Sequence, residues 1–124
     1  NRSFLTIPFK ENFSKLDAVK NRTTDNWRPY APVCLQKDVD AYFDVAKPCY
    51  DMLHIARSKN NHFTSVNNSA RLQITNYTKN AYLSRVLELT RAQGYPILIN
   101  TSLNAKGKPI VNTVDDLKEI RLSN

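Results

Sequence analysis

Ile97, Leu98 and Ile99 form an unbroken apolar run, and Asn100, Thr101, Ser102 and Asn104 follow it almost at once. Such a run suits a strand covered on both faces, expected at 96–100, with a polar turn and a basic glycine loop after it. Ahead of it Leu83, Val86 and Leu87 mark a buried stripe, with Ala81, Tyr82 and Thr90 flanking. They predict a helix from about Thr78 to Gln93, stopped by Gly94. Leu72 and Ile74 alternate with Arg71, Gln73 and Thr75, which predicts a half-buried strand over Ala70 to Tyr77.

Nearer the start, Ser3 to Ile7 is apolar and β-prone, and Pro8 ends it. Phe13, Leu16 and Val19 sit at helical spacing, so a short helix capped by Asn12 or Ser14 is expected to run through Lys20. A polar loop over 21–26 leads into Trp27–Pro32, extended by its prolines, and Val33–Leu35 continues it as a strand. Val39, Tyr42 and Phe43 predict a helix over Lys37 to Asp44, and Met52, Leu53 and Ile55 a strand over Tyr50 to Arg57. Ser58 to Ser69 reads as a loop. Thr113 caps a last short helix, with Asp115 and Asp116 in its first turn. Strands and helices alternate, so the class is α/β with a mixed sheet.

A chain of 124 residues fits one domain with a real core, and 41% hydrophobic against 23% charged residues is a globular composition. No apolar run approaches the roughly 18 residues of a membrane span, and no secretory pattern opens the chain, so a cytoplasmic location is expected. The net charge of +7 suits phosphate-bearing partners, whether nucleotides, nucleic acid or anionic lipid; a plain basic surface explains it equally. Cys34 and Cys49 lack metal or redox spacing and are expected to be reduced. The Asn-x-Ser/Thr triplets at Asn1, Asn12, Asn21, Asn67, Asn76 and Asn100 follow from 14 asparagines in a Ser/Thr-rich chain and are not read as glycosylated.

The chemistry-bearing candidates are Lys20, Arg22, Arg28, Arg71, Ser102 and Asn104, with Asn100 and Thr101 beside them. Each cation borders a loop or lies on the polar side of a strand, so the group could converge on one anion. Arginine offers planar paired donors and lysine a mobile point charge. Spacing alone fits a second reading as well: scattered surface cations and a polar turn. His54 is expected in a core or lining a ligand, His62 in solvent, and Trp27, Tyr30 and Tyr42 in packing. No metal site is expected in this chain.

End to end, the sequence resembles the carboxy-terminal domain of the O-carbamoyltransferases of the nodulation and antibiotic-tailoring type. That family opens Asn-Arg-Ser-Ile-Leu with a proline soon after; here it is Asn1-Arg-Ser-Phe-Leu-Thr-Ile-Pro8. Its Lys-x-Arg and Arg-Pro-Phe-Ala-Pro blocks correspond to Lys20-Asn-Arg22 and Arg28-Pro-Tyr-Ala-Pro32. Ala70-Arg-Leu-Gln73 matches its Ala-Arg-x-Gln, and Pro96 through Val111 its Pro-x-Leu-x-Asn-Thr-Ser-Phe-Asn-x-x-Gly-Glu-Pro-Ile-Val. Three departures stand out. Ser65-Val-Asn-Asn-Ser69 replaces a His-x-Asp-Gly-Thr, Lys108 replaces the glutamate, and relatives continue upstream through Gly-Pro-Arg-Ala-Leu-Gly.

The resemblance implies a YrdC-like twisted mixed sheet with flanking helices. It also implies a domain that binds ATP and carbamoyl phosphate and makes carbamoyl adenylate, with magnesium on the triphosphate. A metal-dependent, Kae1-like transfer domain, in cis or trans, would pass the carbamoyl group to an acceptor hydroxyl, which makes this chain a fragment or one half of a split enzyme. Lys20, Arg22, Ser102 and Asn104 match the Lys-x-Arg and Ser-x-Asn signatures of YrdC-like domains. By that analogy Lys20 and Arg22 neutralise phosphate, Arg28 and Arg71 clamp the second phosphate-bearing group, and Ser102 and Asn104 bind the adenylate. Rival expectations are a threonylcarbamoyl-adenylate-type synthase, a basic nucleic-acid-binding module and an inert fragment.

Overall fold

The computed structural model describes residues 3–20, 30–45, 55–60, 68–105 and 107–120. Arg22, Trp27, Arg28, Cys49, Met52, Leu53, His54 and His62 lie outside them, with the expectations that fell on them. In chain order the elements are β1 (Ser3–Thr6), α1 (Lys10–Lys20) and β2 (Ala31–Leu35). A 3-10 turn (Gln36–Asp38) then leads into α2 (Val39–Tyr42), β3 (Phe43–Asp44), β4 (Ala56–Ser58), β5 (Ser69–Ala70) and β6 (Gln73–Thr75). The last three are α3 (Ala81–Arg91), β7 (Ile97–Ser102) and α4 (Val114–Glu119). The main sheet runs β1-β7-β2-β6, and β3-β4-β5 form a second, antiparallel sheet. β7 is antiparallel to both neighbours while β2 and β6 are parallel, so the sheet is mixed, as the sequence predicts.

β7 lies inside the main sheet, between β1 and β2, and both its faces are covered. On one face Leu98 packs with Val33, Leu35 and Leu87, and Leu83 and Val86 of α3 close over them. On the other, Ile99 meets Leu16 and Tyr30, with Phe4 and Phe13 against them. Further along that face Ile97, Cys34 and Ile74 join Phe43, Ala56, Ala70 and Leu72, which ties the second sheet to the first. Strand alternation explains how one apolar run serves two layers.

Helix ends follow local chemistry. The Asn80 side chain caps α3 by accepting from the Leu83 N–H at 2.9 Å. That helix begins later than Thr78 because the Asn76 side chain accepts from the Lys79 N–H at 2.9 Å and holds 77–79 as a turn. At the other end Gly94, with φ +126°, donates its N–H to the Arg91 carbonyl, as its predicted role as the stop requires. Thr113 caps α4 as expected, and Asp116 returns the bond to complete a capping box.

Other expectations needed correction. α1 starts at Lys10, ahead of the proposed caps: the Asn12 amide donates to the Ile7 carbonyl, and Ser14 donates back to Lys10 inside the helix. The helix expected over Lys37 to Asp44 ends at Tyr42, because Phe43 turns inward at 1% exposure and pairs with Ser58. The strand expected from Ala70 to Tyr77 is two short strands in different sheets, broken at Arg71 and Leu72. Within Tyr50–Arg57 the described strand begins at Ala56, after an exposed Ile55, and it takes in Ser58, the first residue of the expected loop. Among the described residues no helix is long and apolar enough to cross a membrane.

Candidate functional site

Asn100 lies in β7 as expected, and Thr101 and Ser102 also belong to the strand, not to a turn after it. Pairing with β1 extends the strand, Ser3 standing opposite Ser102 and Phe4 opposite Thr101. The turn is confined to Leu103 and Asn104, where the Asn104 N–H donates to the Ser102 carbonyl at 3.0 Å. Val111 then donates to the Leu103 carbonyl at 2.9 Å and closes the loop between them. Gly107, at φ +73°, supplies the left-handed residue that loop needs.

α1 delivers Lys20 to this turn. Phe13, Leu16 and Lys20 lie on one stripe of the helix, and its last residue, Lys20, is only 8% exposed. Its ammonium donates to the Ser102 carbonyl at 2.5 Å, the Asn104 carbonyl at 2.7 Å and Asn104 Oδ1 at 2.7 Å. Ser102 Oγ is 3.3 Å away, and the Phe4 ring centre 5.7 Å. The Ser102 hydroxyl donates to Asn104 Oδ1 at 2.6 Å, and the Asn104 amide donates to the Lys108 carbonyl at 2.8 Å. A buried charge is tolerable only when hydrogen-bonded in this way. Lys20 is 82 positions from Ser102, so helix docking alone joins them.

The same sheet end gathers other predicted residues. Ala31 at the start of β2 stands opposite Asn100, whose amide reaches over β2 to donate to Gln73 Oε1 at 3.3 Å. Arg71 comes in through its backbone, its N–H donating to the Tyr30 carbonyl at 3.3 Å. Thr101 points to the opposite face of β7, half-buried. Lys20, Ser102 and Asn104 thus form one bonded cluster, with Asn100 and Thr101 next to it on β7; Arg71 is tied to Tyr30 and not to the cluster by any of these bonds. Arg22 and Arg28 lie outside the described residues.

Several contributors were not singled out from the sequence. Phe4 beneath the ammonium, Gln73 and Lys108 fall within the matched family motifs, yet no local pattern assigned them to the site. Tyr30 packs as expected, 5.4 Å from Phe13 between ring centres, and its hydroxyl also donates to Asp17 on α1. A hollow of about 80 Å³ opens beside Asn104, lined also by Lys108, Val111, Asp116 and Ile120. A larger one, about 480 Å³, is lined by Leu35, Gln36, Lys37, Asn76 and Tyr77 beyond the opposite end of β2 and β6. Cys34 takes no part: burial, aided by the Asp38 charge, pushes its thiol up to about 12, far from a thiolate at neutral pH. Among the described residues no three or more His, Cys, Asp or Glu side chains gather to hold a metal ion.

Fold and site define a small α/β domain with hydroxyl, amide and ammonium groups drawn together at the end of its central strand. The chain belongs to the carbamoyltransferase C-terminus family, whose sequence model matches residues 1–124. It is 35% identical over 123 residues to the 3'-hydroxymethylcephem-O-carbamoyltransferase of Streptomyces clavuligerus, covering 94% of this chain and 23% of that protein. The enzyme of the same name from Amycolatopsis lactamdurans is 35% identical over 125 residues, with the same shares of 94% and 23%. The nodulation protein NolO of Bradyrhizobium diazoefficiens is 31% identical over 127 residues, again covering 94% and 23%. The chain therefore spans about a quarter of the length of these curated relatives.

Proposed function

We propose that this chain is the ATP- and carbamoyl-phosphate-binding portion of an O-carbamoyltransferase, a YrdC-like domain that forms carbamoyl adenylate. The observation that carries the reading is the union of Lys20 with Ser102 and Asn104 across 82 and 84 positions. That contact supports the reading because it joins the lysine of the Lys-x-Arg match to the serine and asparagine of the Ser-x-Asn match.

The chemistry has a defined balance. Water releases carbamate and inorganic phosphate from carbamoyl phosphate. A carbamate oxygen then attacks the α-phosphorus of ATP, the bond to the bridging oxygen breaks, and pyrophosphate leaves. Bringing an anionic carbamate to a triphosphate crowds negative charge, which Arg22, Arg28 and Arg71 would offset together with magnesium held by the phosphate oxygens and water. Ser102 and Asn104 would hold the α-phosphate and the carbamoyl carbonyl. Losing one such contact costs on the order of 2–4 kcal/mol in the transition state. A Kae1-like transfer domain, in cis or trans, supplies the catalytic metal and moves the carbamoyl group to an acceptor hydroxyl. Substrates of this kind place the reaction in the cytoplasm.

Calorimetric titration with Mg-ATP, with and without carbamoyl phosphate, tests the reading. Saturable binding that weakens about tenfold or more in Ser102→Ala is expected, with pyrophosphate release on adding both substrates. Absence of nucleotide binding, with salt-sensitive capture of RNA instead, would replace it with a basic nucleic-acid-binding module.

A further inference from the structure

Lys20 is the most heavily engaged side chain at the site, and its bonds bear on what it does. A lysine ammonium carries three N–H donors. The Ser102 carbonyl, the Asn104 carbonyl and Asn104 Oδ1 take them at 2.5, 2.7 and 2.7 Å. Ser102 Oγ and the Phe4 ring flank the same charge, and the residue is 8% exposed. A head group held this way faces the protein, with its donors already committed.

The turn depends on the cation in return. Two backbone carbonyls and a side-chain oxygen point their negative ends at one place, an arrangement that the positive charge between them stabilises. That convergence sets Asn104 Oδ1 to accept from the Ser102 hydroxyl at 2.6 Å and turns the Asn104 amide toward the Lys108 carbonyl. Remove the charge and the carbonyls repel, so the hydroxyl and amide lose their fixed positions.

We propose that Lys20 is a positioning residue, the cationic core of the Ser102–Asn104 turn, and acts on bound substrate through that turn rather than by touching phosphate. Phosphate charge is left to the arginines. The consequence for substrate rests on the adenylate-forming reading; the role in the turn does not, and the experiment separates the two.

The test uses the full chain and Lys20→Met, which keeps the aliphatic stem and removes the charge. Without ligand, amide exchange at Asn104 and Val111 is expected to speed up about tenfold or more while Leu98 and Ile99 in β7 stay protected. Unchanged exchange at 104 and 111 overturns the proposal. Should Lys20→Met fail to fold, Lys20→Arg, with a planar fork in place of a compact head, is read the same way. With Mg-ATP, the Lys20→Met affinity is expected to fall about tenfold and to track the wild-type salt dependence in parallel. Lys20→Met combined with Ser102→Ala should bind no more weakly than the worse single variant, because both act at one place. A flattened salt dependence, or full additivity, means the ammonium meets phosphate directly and overturns the proposal. Wild-type chain that binds no Mg-ATP would defeat the nucleotide reading while exchange still decides what Lys20 does.

Discussion

Single residues show how strongly environment decides chemistry here. Cys34, fully buried in β2 with its thiol pushed up to about 12, is expected to resist iodoacetamide at neutral pH in the folded chain and to react once urea unfolds it. Peptide mass mapping reads this directly; modification within minutes in the native chain would contradict it. Asp116 shows the reverse shift. The backbone N–H groups of Asn112 and Thr113, then the Thr113 side chain, hold its carboxyl below the usual carboxylate range. A depressed folded value means the stabilisation is present above the unfolded value and is lost as pH falls through the folded one. Amide protection at Asn112 and Thr113 should therefore be flat at neutral pH and decline in acid. Asp116→Asn should remove that dependence.

At the scale of elements, burial separates what matters from what decorates. Ile99 is completely buried in β7, so Ile99→Ala is expected to cost about 2–5 kcal/mol in denaturant unfolding. Leu89 on α3 is 58% exposed, and Leu89→Ala should stay within about 0.5 kcal/mol. Equal losses at the two positions would contradict the contrast between a buried β7 and the solvent face of α3. The charges near the end of that helix matter less. Arg91 donates to both Asp38 oxygens at 3.2 and 2.8 Å and to Glu88, which Lys37 also pairs. Bonds from Lys37 and then Arg91 hold the Glu88 carboxyl below its usual range. These groups reach solvent, where water and salt weaken such pairs.

Across the whole molecule the two sheets share one apolar cluster, Phe43, Ala56 and Ala70 packing with Cys34, Ile74 and Ile97. The chain is therefore expected to unfold in a single transition, with calorimetric and van't Hoff enthalpies equal; separate transitions would mean the second sheet folds independently. Much of this architecture was legible beforehand: the α/β class, β1, β7 as a strand covered on both faces, α3 with Gly94 as its stop, and the Thr113 cap. Those features depend on periodicity, glycine conformation and bonds spanning a few residues, which neighbouring side chains settle among themselves. The sequence also marked Lys20, Ser102 and Asn104 as candidates, without indicating that the ammonium would be enclosed by the turn. Only tertiary structure decided that, as it decided the length of β7, the break between β5 and β6, and Phe43 as strand. Each of these outcomes comes from partners distant along the chain, 82 positions in the case of Lys20 and Ser102. Local preference yields where such a partner offers burial or a hydrogen bond that the nearby sequence lacks.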